Sequence, residues 1–207
     1  TTSADGAYSV YAADVDNDGD MDVLSASNQD DKIAWYENDG ASDPSFTART
    51  ITTSADGASD VYAVDIDNDG DLDVLSASFD KIDWYENGLS AFGNPTFGSA
   101  NITTSADAAA SVYAADIDND GDLDVVSASY SDDKIAWYES NGAADPSFTA
   151  RTITTSADGP RSVYAADIDS DGDIDVLSAT YFDNKIAWYE NGLSAFGNPT
   201  FGSANFT

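Results

Sequence analysis

The sequence repeats itself four times, and that periodicity limits the possible folds more than any other feature. Four glycines in a recurring aspartate-rich segment, Gly19, Gly70, Gly121 and Gly172, stand 51 residues apart. The tryptophans Trp35, Trp84, Trp137 and Trp188 follow at intervals of 49, 53 and 51. The 207 residues therefore read as a single repeat domain, 1–207, with units over about 1–52, 53–103, 104–154 and 155–207. A longer period lies on top. Ile33–Gly57 matches Ile135–Gly159 at 22 of 25 positions, and Trp84–Thr103 matches Trp188–Thr207 at 19 of 20. Units one and three thus share one kind of C-terminal half and units two and four another, which points to duplication of a two-unit block.

Within a unit the pattern is β. Ser9–Val15, Asp22–Ser27, Lys32–Glu37 and Phe46–Thr52 are short runs rich in Val, Ile, Tyr, Trp and Thr, bounded by Asp, Asn, Gly and Pro. Apolar or small residues fall on both faces, as with Val10 and Ala12 against Tyr11 and Ala13, which suits a sheet covered on both sides. Four strands in about 50 residues is the signature of a propeller blade. The expected fold is all-β: a β-propeller of four-stranded antiparallel blades, four in this chain.

The recurring segment is a nine-residue loop, D-x-D-x-D-G-D-x-D, first seen as Asp14-Val15-Asp16-Asn17-Asp18-Gly19-Asp20-Met21-Asp22. Calcium takes six to eight oxygens at about 2.3–2.6 Å. Carboxylates at positions 1, 3 and 5 converge if the chain curls tightly, and Gly19 at position 6 permits the curl. Position 7 then offers its main-chain carbonyl, position 9 closes the site, and the apolar residues at 15 and 21 should anchor the loop in the core. Five carboxylates in nine residues repel one another unless a cation sits among them. The pattern recurs at Asp65–Asp73, Asp116–Asp124 and Asp167–Asp175, giving four expected Ca2+ sites, one per blade. It is not an EF-hand: position 12 is Ser25, Ser76, Ser127 or Ser178, and the flanks are strands.

Composition narrows the function classes. With 39 acids, 7 bases and a formal charge of −32, the chain has no basic patch for nucleic acid or an anionic membrane surface. Its 42% apolar and 12% aromatic residues exclude a disordered acidic tail. No apolar run is long enough for a membrane-spanning helix, so membrane insertion is not expected. Zero cysteine excludes a disulfide scaffold, and zero histidine removes the commonest general base. No starting methionine or signal peptide is visible, which fits a mature or excised segment.

The loop and the hydrophobic strand after it resemble the FG-GAP/VCBS repeat, a family that includes the integrin α-subunit propeller and fungal propeller lectins. The resemblance covers all four units. It implies blades with calcium between the first two strands, and adhesive or sugar-binding roles outside the cell. Carried over by position, the side-chain ligands are Asp14, Asp16, Asp18 and Asp22, with Asp20 giving its main-chain oxygen. The other sets are Asp65, Asp67, Asp69 and Asp73 with Asp71; Asp116, Asp118, Asp120 and Asp124 with Asp122; and Asp167, Asp169, Asp171 and Asp175 with Asp173. Closed rings in this family usually have seven blades, whereas this chain has four.

Other signals are weaker. Lys32, Lys81, Lys134 and Lys185 precede the tryptophan strands, and acids such as Asp31 and Asp133 suggest structural ion pairs. The Trp-Tyr pairs read as core, with sugar-stacking platforms as the alternative. Asn101-Ile-Thr and Asn205-Phe-Thr fit the N-glycosylation sequon, while Asn94 precedes proline. Leu89 and Phe92, in the insert Gly88–Phe97 that recurs as Gly192–Phe201, either fold under their own blade or form a patch for a partner.

No serine elbow, His or Cys is available, and nearly every carboxylate recurs fourfold, so an enzyme is not expected. The expected function is a calcium-stabilised structural or adhesive module, extracellular or on the cell surface, where loops of about 10⁻⁴–10⁻³ M affinity would be filled. Its expected partners are other copies of itself or neighbouring repeats, and glycans or a cell-surface protein. The alternative is a propeller-type lectin. Thr207 occupies the place of Thr1 in the repeat, and a row of blades leaves apolar end faces, so association into a larger ring, array or fibre is expected.

Overall fold

A computed structural model of the chain describes residues 3–88, 95–192, 199–202 and 204–206. Leu89 and Phe92, with the matching stretch 193–198, lie outside the described residues. Sixteen strands and no helix are found among the described residues. They form four antiparallel sheets, each a meander in sequence order. Such four-stranded meanders are propeller blades, so the fold is the all-β propeller class with four blades in this chain. The chain divides into two compact units, Thr1–Ser105 and Ala106–Thr207.

The first unit holds β1 (Ala7–Ala13), β2 (Asp22–Ser27), β3 (Lys32–Asn38) and β4 (Phe46–Thr52), then β5 (Asp60–Val64), β6 (Asp73–Ala77), β7 (Ile82–Asn87) and β8 (Phe97–Thr103). Strands β2, β3, β6 and β7 are buried along most of their length, whereas β4 and β8 are largely exposed. The difference follows from composition: Val, Leu, Ile and Trp fill the middle strands, whereas Thr and Arg dominate β4 and small or polar residues β8. Val15, Leu24, Ala26 and Ile33 of the first blade pack with Val61, Ala63 and Val74 of the second in one core. Polar bonds cross the same junction. Asn87 Nδ2 donates to Val15 O at 3.0 Å, and Asp31 Oδ1 accepts the N–H of Gly57 at 3.0 Å.

The second unit repeats the design with β9 (Ala109–Ala115), β10 (Asp124–Ser129), β11 (Lys134–Ser140) and β12 (Phe148–Thr154), then β13 (Pro160–Ala166), β14 (Asp175–Thr180), β15 (Lys185–Tyr189) and β16 (Ala204–Phe206). Ile117, Val126 and Ile135 pack with Val163, Ala165 and Val176. Asn191 Nδ2 donates to Ile117 O at 2.8 Å, and Asp133 Oδ1 accepts the N–H of Gly159 at 3.0 Å.

Several details differ from the sequence reading. The first strand runs Ala7–Ala13, with a bulge near Ser9, and stops before Val15. The Val15 N–H is taken by the Asp22 carboxylate at 3.0 Å and so leaves the ladder. Val15 is buried, but Met21 is 55% exposed and does not anchor its loop; Leu72 and Ile174, at the same place, are partly buried. Lys32 pairs with Asp30 rather than Asp31, and Lys134 with Asp132 rather than Asp133, because Asp31 and Asp133 are engaged with the next blade. Trp35, Trp84 and Trp137 are buried with Tyr36, Tyr85 and Tyr138, so these pairs are core. The serines at loop position 12 are buried too, and Ser25, Ser76, Ser127 and Ser178 each share a hydrogen bond with a core tyrosine hydroxyl.

Candidate metal centres

Each aspartate loop joins the first two strands of its blade, and its own backbone organises it. In the first loop Asn17 takes φ 57° and Gly19 φ 97°. Gly70, Gly121 and Gly172 have φ of 97°, 98° and 97°. A Cβ at these glycines would meet nothing within 4 Å, so glycine is demanded by the backbone angle and not by space. The curl turns amides onto Asp14, whose carboxylate accepts Asp18 N–H at 3.1 Å and Gly19 N–H at 3.0 Å. Asp65 and Asp116 are held alike, and Asp167 accepts the N–H of Ser170 and Gly172.

The carboxylates converge. Oxygens of Asp14, Asp16 and Asp18 lie within 4.8 Å of one another, as do those of Asp65, Asp67 and Asp69. In the third and fourth loops the sets are Asp116, Asp118 and Asp124, and Asp167, Asp169 and Asp175. Two oxygens on one calcium are separated by at most about 4.6–5.2 Å, twice the metal–oxygen distance, so the spacing fits that ion. A second observation agrees: Asp16 Oδ1 is buried and has no hydrogen-bond partner, an acceptor that a cation would satisfy. Burial, then repulsion from Asp18 and Asp22, pushes Asp16 up to about 6. Asp118 also reaches about 6, through burial and then Asp120. Asp67 and Asp169 are raised for the same first cause.

The position-9 aspartates are the most deeply buried members. Asp22 accepts Val15 N–H through one oxygen and Asn38 N–H, at 2.8 Å, through the other, tying the loop to the end of β3. Asp73, Asp124 and Asp175 repeat this. Burial outweighs those bonds and lifts Asp73 and Asp124 to about 7. Each such oxygen keeps a lone pair, and Asp124 and Asp175 join their clusters. All four position-5 aspartates, Asp18, Asp69, Asp120 and Asp171, accept the N–H two residues on.

The position-7 aspartates belong to no cluster. Asp71 Oδ1 accepts Asn17 Nδ2 at 3.1 Å, and Asp173 Oδ1 accepts Asn119 Nδ2 at 3.1 Å. Asn17 and Asn119 thus latch one loop to the next within a unit, a role their sequence position did not suggest. Asp20 and Asp122 sit against Gly40 and Gly142, where a Cβ would come within 2.1 Å and 1.8 Å of a carboxylate oxygen. The signal in the sequence was glycine at the same place in both odd units. Asn101 is exposed on β8, across the ladder from Asp83. The side chain of Asn205, on β16, lies outside the described residues.

A family model described as FG-GAP-like repeat matches residues 14–76, 65–127 and 116–178. The chain belongs to the FG-GAP-like repeat family. Each match begins at the first aspartate of one loop and ends on the strand after the next, so an FG-GAP-like unit straddles two blades. Solved structures similar to this FG-GAP-like chain include an Agrocybe aegerita lectin that recognises non-reducing terminal N-acetylglucosamine, at 16% identity and TM-score 0.59, covering 93% of this chain and 50% of the lectin. The V. cholerae biofilm matrix protein Bap1 aligns at 18% identity and TM-score 0.55, covering 96% and 28%. A Lactobacillus plantarum protein aligns at 16% and 0.54, covering 96% and 55%. The chain spans between 28% and 55% of those proteins' lengths, and identities this low speak for the fold alone. No curated protein matches the sequence.

Proposed function

We propose that this FG-GAP-like chain is a calcium-stabilised, non-enzymatic scaffold module that works outside the cell and assembles with further copies or repeats. The observation that carries the reading is the convergence of carboxylates in all four loops, with a buried, unpaired Asp16 oxygen in the first. The side-chain ligands are those of positions 1, 3, 5 and 9, with the position-7 carbonyls completing each shell. Bound calcium would supply positive charge and no redox or acid–base chemistry. Four ions bring eight positive charges, moving the chain from −32 to −24. Extracellular calcium suits loops of about 10⁻⁴–10⁻³ M affinity. Asn101 is available for glycosylation in a eukaryotic secretory route.

Binding only to the folded state stabilises it by mass action. The expected result is a stoichiometry near four and a melting temperature that falls sharply on chelation, read by calorimetry. A melting curve indifferent to excess chelator rejects the reading.

One observation favours glycan binding as a second reading. Six of the seven Lys and Arg residues pair with acids. Arg161 instead lies over the Tyr130 ring at 3.7 Å and 5.9 Å from the exposed Tyr181. Phe182 stacks on Tyr130 at 5.4 Å. Exposed rings beside a guanidinium suit a sugar, and a glycan array with Tyr181→Ser as control decides it.

A further inference from the structure

Within each unit the structure shows what covers one blade face. The second blade presents Val61, 2% exposed, and Phe97 to Val15, Leu24 and Ile33 of the first. The fourth presents Val163, 4% exposed, and Phe201 to Ile117, Val126 and Ile135 of the third. Val61 and Phe97 mark a leading face; Val15, Leu24 and Ile33 mark a trailing one.

Two faces of the same kinds are open. On the first blade, Val10 is 70% and Phe46 48% exposed, beside an apolar groove of about 280 Å³ that Val23 and Tyr36 help to line. On the fourth, Ile168 is 41% and Ile186 51% exposed, with Leu177 in a groove of about 160 Å³. Val10 and Phe46 correspond to Val61 and Phe97; Ile168, Leu177 and Ile186 correspond to Val15, Leu24 and Ile33. Inside each unit the residues corresponding to Val10, Phe46, Ile168 and Ile186 are covered by a neighbouring blade, whereas these four stand exposed.

We infer that the leading face of the first blade binds the trailing face of the fourth blade of a second copy of this chain, head to tail. This rests on the scaffold reading above and names its partner and polarity. One polar contact comes with it. Asn87 and Asn191 reach the preceding blade at Val15 O and Ile117 O, whereas Asn38 Nδ2 donates within its own blade, to Met21 O. Across the new junction Asn38 Nδ2 meets Ile168 O of the other copy. The second latch is missing, because Ser170 stands where Asn17 and Asn119 reach across. The junction is therefore weaker than those inside a unit, and reversible. Its formation depends on calcium, since chains at −32 repel one another. A contact between two different faces either closes a ring or extends a row.

Analytical ultracentrifugation of the whole chain across a concentration series in millimolar calcium tests this. The expected mass is at least twice 21.7 kDa. Val10→Asp and Ile186→Asp change exposed residues, so both variants should keep the parent's fold, read by circular dichroism, and each alone should stay at 21.7 kDa. Mixed, they should form a one-to-one complex and nothing larger, because one keeps only the tail and the other only the head. A parent that stays at 21.7 kDa while calcium still raises its melting temperature overturns the head-to-tail contact and leaves the metal reading standing. Self-assembly of either blocked variant, or a mixture that stays monomeric, also overturns it. A melting temperature indifferent to calcium counts against the metal reading instead.

Discussion

Calcium affinity should fall with acidity, and more steeply in some blades than in others. A carboxylate must lose its proton before it holds calcium, and Asp16, Asp118 and Asp124 hold theirs up to about 6, 6 and 7. Each acid weakens its loop by one plus the ratio of protonated to ionised form. From about pH 8 to about pH 5, Asp16 alone costs the first loop roughly tenfold, whereas Asp118 and Asp124 together cost the third roughly a thousandfold. Filling these two loops should release about two protons near pH 6 and about a tenth of a proton near pH 8. Titration calorimetry in buffers of different protonation heat reads both quantities. Affinities that stay level over this range, with heats independent of buffer, would refute the idea that these buried acids are the ligands. The stability of the metal-free chain follows the same groups. Each of these acids binds its proton more tightly folded than unfolded, so its penalty is absent below about pH 4, grows through about pH 6 to 7 and is complete above. Asp30, Asp39 and Asp183, lowered by hydrogen bonds, act oppositely at more acid pH. The metal-free melting temperature should therefore fall from about pH 4 to about pH 8, and calcium should abolish that fall.

Two further outcomes test the packing. Ile135→Ala removes a fully buried side chain and should cost about 2–5 kcal/mol, whereas Ile186→Ala, at the same place in the fourth blade but 51% exposed, should stay within about 0.5 kcal/mol in the monomer; urea denaturation compares them. Gly142→Ala places a methyl 1.8 Å from Asp122 Oδ2 at φ 61°. It should cost about 1–3 kcal/mol and weaken calcium at the third loop alone, read by calorimetry.

The sequence by itself determined what is local or periodic. The 51-residue spacing set the number of blades, and alternating apolar strands set their kind. Nine contiguous residues hold the clustered carboxylates, so convergence rests mainly on the curl that the loop glycine permits, with an amide 16 residues on holding the position-9 carboxylate of the third and fourth loops. What the tertiary structure decided is which of several equivalent residues does what. Asp30 and Asp31 are adjacent and chemically alike, yet one holds Lys32 and the other the next blade's Gly57. Asp71 is claimed by Asn17, 54 residues away, while Asp20 lies against Gly40. Met21 and Val10 occupy repeat positions that are buried or partly buried elsewhere, and here they are exposed. Repetition gives equal residues equal local geometry, but burial and pairing belong to the neighbour that packs against them, and that neighbour differs from blade to blade.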